Sequence, residues 1–197
     1  MKCAYKQVQE KEQFSVVTES MIAIYQGISI LSIRECFGFG IGRFERYCGE
    51  VVSDMDGLIS RYQEPGEHGR SEGVYDAYYA SRRAVKDIGV DTDEIEGRYK
   101  PAQYAPTIGG KEAQKRLMDR LVFLNSMELS VGVLWYTSML WLHDEYGFGA
   151  VRLSRYYNRC REMLGEFAQM YLRFENDKCA KYLYDMRARC EELGVLV

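Results

Sequence analysis

Proline is almost missing from this chain. Its three prolines, in 197 residues, all fall between Pro65 and Pro106. The long stretches on either side therefore hold no residue that would break a helix. Histidine is scarcer still: there are two, and His68 sits in the loop-like "QEPGEHGRSEG", so no histidine-rich metal set can be built. The six cysteines form no CxxC pair, and free thiols in a reducing cytosol are the expectation. "MKCAYKQVQEKEQF" has no apolar run and reads as no signal peptide. The most apolar stretch, "SVGVLWYTSMLWL" over 130–142, is too short to span a bilayer and reads as a buried central helix. Charge of one sign is lacking too. Residues 1–110 carry 13 basic and 17 acidic side chains, and residues 111–197 carry 13 and 12, for a total of -3. That balance implies neither a polyanion mimic nor a strong nucleic-acid binder.

Chemical motifs are missing as well. No P-loop, nucleophile elbow or paired-carboxylate signature occurs. The acidic runs "DTDEIE" and "EFAQMYLRFEND" lack the glycine and spacing of a calcium loop. The expectation is a non-enzyme with no catalytic residue, no metal and no cofactor.

What the sequence does have is internal repetition. Residues 21–62 align without a gap on 130–171, an offset of 109. Ser29, Leu31, Gly38, Phe39, Gly40, Arg43, Arg46, Tyr47 and Tyr62 meet identical residues, nine in 42 positions. Average residue usage gives about two or three by chance. At an offset of 105, "YASRRAVKDIGV" lies on "YDMRARCEELGV". Each copy reads as three helices. The first runs from about 15 to 35, or from within 111–128 to 145. The second is amphipathic over five turns, from Phe44 to Tyr62 and from Leu153 to Tyr171. The third spans about 73–88 or 176–193 and closes on Gly89 or Gly194. No stretch reads as a strand. The expected fold is all-α, with two repeated three-helix units packed in pseudo-twofold symmetry. Residues 1–90 form the first unit and 111–197 the second. Residues 91–110 form the linker, with a helical turn in "DTDEIEGRY".

Between the first two helices of each copy lies a turn, "FGFG" or "YGFG". Gly38 and Gly147 are expected at positive φ, followed by a buried Phe39 or Phe148. Glu35 and Asp144 end one helix while Arg43 and Arg152 begin the next, each opposing the helix dipole. One reading pairs acid with arginine across the turn. The other makes Arg43 and Arg152 an anion site at a helix N-terminus. His143, whose counterpart is Arg34, reads as a helix-surface or interface residue. Arg152, Arg155 and Arg159 share one helix face, which reads as a solvated face or as a phosphate-tracking stripe. Sixteen tyrosines are many for this length, and tyrosine is enriched at interface anchors.

"LHDEYGFGAVRLSRYYNRC", with "IRECFGFGIGRFERYC" as a weaker version and "GVDTDEIE" after the first unit, resembles uncharacterised helical accessory proteins of phages and prophages in Gram-positive bacteria. The resemblance brings no catalytic residue. It implies a mobile-element protein working in the host bacterial cytoplasm, where such proteins include inhibitors of host defence, anti-CRISPR proteins among them. The function expected is binding of a protein or protein–nucleic acid complex, most concretely inhibition of a CRISPR nuclease, with a homo-oligomer as a further expectation. Arg155, Arg159, Tyr75 and Tyr78 are the expected partner-binding residues. The alternative is a nucleic-acid-binding regulator using the arginine face.

Overall fold

A computed structural model describes residues 23–62 and 73–196. Among the described residues the regular structure is helical, and the fold is all-α. The helices are α1 over 23–37, α2 (Ile41–Tyr62), α3 (Gly73–Asp87), α4 (Thr92–Arg98), a 3-10 turn (Pro101–Tyr104), α5 (Lys111–Tyr146), α6 (Ala150–Leu172) and α7 (Asn176–Glu191). The expected start of the first helix near residue 15 lies outside the described residues. α3 and α7 end one and two residues short of their expected boundaries, before Gly89 and Gly194 at positive φ. The expected helical turn after residue 91 is α4. Asp91 caps it by accepting from the Glu94 N–H at 2.9 Å. With the 3-10 turn behind it, this segment packs on α6.

The centre is built from α1 and the second half of α5. Residues 131–139 are all buried, and α1 is buried from Ala23 to Ile33 except at Gln26. A helix apolar on every side can only be an inner one. Among the described residues, no helix is long and apolar enough to cross a membrane.

At the centre of this apolar layer four hydroxyls meet. Ser29 contacts Tyr47 and Tyr156 at 2.6 Å each, Tyr47 contacts Ser138 at 2.7 Å, and the two serine oxygens lie 3.5 Å apart. A buried hydroxyl costs stability unless bonded, and here each bonds another. Ser29 and Ser138 are 109 residues apart, as are Tyr47 and Tyr156.

Other contacts come in pairs related by the two repeat offsets, 109 and 105. Phe37 meets Phe148 at 4.6 Å, and Phe39 meets Tyr146 at 4.9 Å. Gly89 closes against Ala150, and Gly194 against Ile41. α3 packs along α5, where a Cβ on Gly132 would overlap the Tyr78 ring. α7 crosses to α1, where a Cβ on Gly27 would lie 2.6 Å from the Met186 sulfur. So the helix at the end of each half of the sequence packs on the helix that begins the other half.

Candidate interaction surface

The two glycine turns sit side by side. Gly38 and Gly147 have φ of 68° and 62°. The Gly38 N–H returns to the Arg34 carbonyl at 2.9 Å and that of Gly147 to the His143 carbonyl at 2.8 Å. The following phenylalanines are buried. His143 Nδ1 lies 2.9 Å from the Phe148 carbonyl oxygen, and an Arg34 Nη1–H donates to the Phe39 carbonyl at 2.7 Å. Two chemically different residues thus occupy the same position against the turn, and the half-buried His143 braces it from the helix surface.

The acid–arginine pair expected across each turn does not form. Arg43 lies over the Phe39 and Tyr146 rings, at 5.1 and 5.8 Å from their centroids, and Arg152 lies over Phe148 at 5.1 Å. An aromatic face attracts a cation, and the phenylalanines that close the turns present that face directly beside the arginines. Glu35 turns instead toward α6 and α7, where Arg159 and Arg189 each donate to it at 2.7 Å. Burial alone would raise the Glu35 carboxyl, but the Arg189 and Arg159 hydrogen bonds and charges outweigh it and hold the group below its ordinary range.

The three arginines of the α6 face have three different surroundings. Arg152 is on its ring. Arg159 is surrounded by Glu35, Glu162 at 3.2 Å and Glu166 at 3.7 Å. Arg155 is exposed and makes no ion pair among the described residues. It lines a polar groove of about 440 Å³ with Glu35, Cys36, Asn158, Arg159 and Glu162. The Cys36 thiol donates to the Arg155 carbonyl at 3.8 Å. Of the two tyrosines, Tyr75 is 55% exposed. Tyr78 is drawn inward, with its ring 5.5 Å from that of Tyr136. Arg155 and Tyr75 therefore face outward, while Arg159 bonds carboxylates of α1 and α6 and Tyr78 packs against α5.

A polar centre that residue patterns did not suggest lies under α4. Glu96 accepts from Arg82 at 2.8 Å, from Tyr157 at 3.0 Å and from Tyr136. Burial would raise its carboxyl, yet the Arg82 and Tyr136 hydrogen bonds and the Arg82 charge pull it below its ordinary range. Next to it Arg161, almost wholly buried, donates to Glu128 at 2.6 Å and to the Tyr99 carbonyl at 3.3 Å. These groups fasten 91–104 to α3, α5 and α6. Asp91 followed three residues on by Glu94 could have marked the start of the helix that carries Glu96, but not its partners.

Burial pushes the Cys160 thiol up to about 12, and the described cysteines are unpaired. Among the described residues no cluster of three or more histidine, cysteine or acidic side chains is placed to hold a metal. An apolar cavity between α1, α2, α5 and the C-terminal residues measures about 110 Å³, below the few hundred Å³ of ordinary ligand pockets. No known family model matches the chain, and no curated protein or solved structure matches it either.

Proposed function

We propose that this chain is a non-enzymatic binding protein that captures a protein or protein–nucleic acid complex through its surface. The observation that carries the reading is where its polar chemistry goes. Glu96, Arg82, Arg161 and the four central hydroxyls are engaged with one another inside the fold, while several large tyrosine and aliphatic side chains, with Arg155, stand among the charged residues that face outward. Tyr75, Tyr79 and Tyr184 are exposed, as are Ile41 and Val151 beside the turns, and tyrosine and arginine are the usual anchors of binding surfaces. Resemblance to phage and prophage accessory proteins makes the most concrete form an inhibitor of a CRISPR nuclease in the host bacterial cytoplasm.

The architecture belongs to the same proposal: two repeated three-helix units, 1–90 and 111–197, related by a pseudo-twofold axis through the Ser29–Ser138 contact. Its support is the set of contacts that repeat with the offset exchanged. Residues 91–110 connect the units and brace them. The second reading, a nucleic-acid-binding regulator on the α6 arginines, is disfavoured by the three carboxylates around Arg159.

The test is a nuclease cleavage assay. Wild-type protein should suppress cleavage, and Arg155→Glu with Tyr75→Ala should not, at equal helical content. Suppression by the double variant equal to wild type would remove this surface from the proposal. A mobility shift on bare DNA that weakens steeply with salt would favour the second reading.

A further inference from the structure

The two halves treat one arginine in opposite ways. Arg46 and Arg155 occupy corresponding places, 109 residues apart. Arg46 is fully engaged. It bonds Glu50 on its own helix at 2.8 Å and Glu145, which ends the neighbouring α5. Glu50 is itself fixed, accepting from the Trp141 ring N–H at 2.6 Å.

At the corresponding places around Arg155 both carboxylates are missing. Cys36 stands where Glu145 stands, and Arg159 stands where Glu50 stands. Arg159 cannot neutralise Arg155, and it is itself drawn off to Glu35, Glu162 and Glu166. Where the long Glu145 side chain closes one side, the short Cys36 side chain leaves the groove of about 440 Å³ on the other. Arg83 and Arg187 are exposed as well, but Arg155 borders a concave site.

We propose that this groove receives an acidic side chain, a glutamate or aspartate, from a protein partner, bound by Arg155 in the place that Glu145 occupies beside Arg46. The chain carries its own example of the occupied site. Planar guanidinium donors fit a carboxylate in two parallel hydrogen bonds. The groove's own carboxylates, Glu35 and Glu162, already have arginine partners in Arg159 and Arg189, so they do not compete for Arg155. This inference rests on the surface-binding reading above and names the chemistry of what it binds.

The experiment is an NMR titration of the full chain with the dipeptide acetyl-Glu-Glu-amide, following the arginine Nε–Hε resonances, with acetyl-Gln-Gln-amide as the neutral control. The expected result is a saturable shift of the Arg155 resonance with the acidic peptide alone, and none at Arg46. Cys36→Glu supplies the missing carboxylate from within. It should weaken the peptide by about tenfold or more, the scale of one charge-assisted contact, while leaving the melting temperature at or above wild type. Arg155→Gln should abolish the shift, and it decides the matter if Cys36→Glu misfolds. No saturable shift at Arg155, or an equal response to the neutral peptide, overturns the inference. Loss of partner inhibition in Arg155→Glu without any peptide response sinks the groove and leaves the surface reading standing. Peptide capture with inhibition untouched does the reverse.

Discussion

Gly147 sits at φ 62°, and a Cβ added there would meet nothing within 4 Å. Any cost of substitution is therefore backbone strain alone. Gly147→Ala should destabilise by about 1 kcal/mol, and Gly147→Val by more. For a chain of this size that is a fall of roughly 2–4 °C per kcal/mol in thermal denaturation; an unchanged midpoint would deny the left-handed geometry. Glu96 gives a second residue-level test, with its sign fixed by its partners. Its carboxyl is held below the ordinary range, so its stabilising contribution is present above the unfolded-chain value of about 4.3. It fades as pH falls through the lower folded-state value. Glu96→Gln should melt below wild type at pH 7, and the gap should narrow on acidification. A gap constant with pH would mean the carboxylate charge plays no part.

Between elements, the four-hydroxyl cluster makes α1, α2, α5 and α6 depend on one another. Tyr47→Phe and Tyr156→Phe each leave a buried serine short of a partner, which costs about 1–3 kcal/mol. Because both tyrosines contact Ser29, their effects should not add: a double-mutant cycle should give a coupling of at least about 0.5 kcal/mol. Strict additivity would place them in separate environments. The helices themselves were legible because their physics is periodic. The apolar spacing of α2 and α6, the glycine stops after α3 and α7 and the uninterrupted apolar centre of α5 all leave a trace in the residue order. Partner choice left none. Glu35 stands eight residues from Arg43 in sequence, yet it pairs with Arg159 and Arg189, because side-chain direction and the nearest ring decide where a long arginine goes. For the same reason Arg159 and Tyr78 read as surface anchors, yet Arg159 is taken up by neighbouring carboxylates and Tyr78 packs against α5, while Arg155 and Tyr75 face outward.

For the whole molecule, repetition in sequence tells what each half contains but not which half each helix joins. α3 packs on α2 and α7 on α6 within their own halves, and composition gives no sign that either goes further. In the structure each also reaches the other half, α3 to α5 and α7 to α1, and the segment 91–104 fastens the α3 side of this crossing through Glu96 and Arg161. The halves are therefore interlocked, and the arginine environments of the two sides can be compared position by position. The most direct measurement of this arrangement is a methyl- and aromatic-selected NOESY spectrum of the intact chain. Crossed packing predicts strong cross-peaks from the Met186 methyl to Gly27 and from the Tyr78 ring to Gly132. A Met186 methyl showing contacts to α6 but none to Gly27, or a Tyr78 ring with no contact to Gly132, would contradict it.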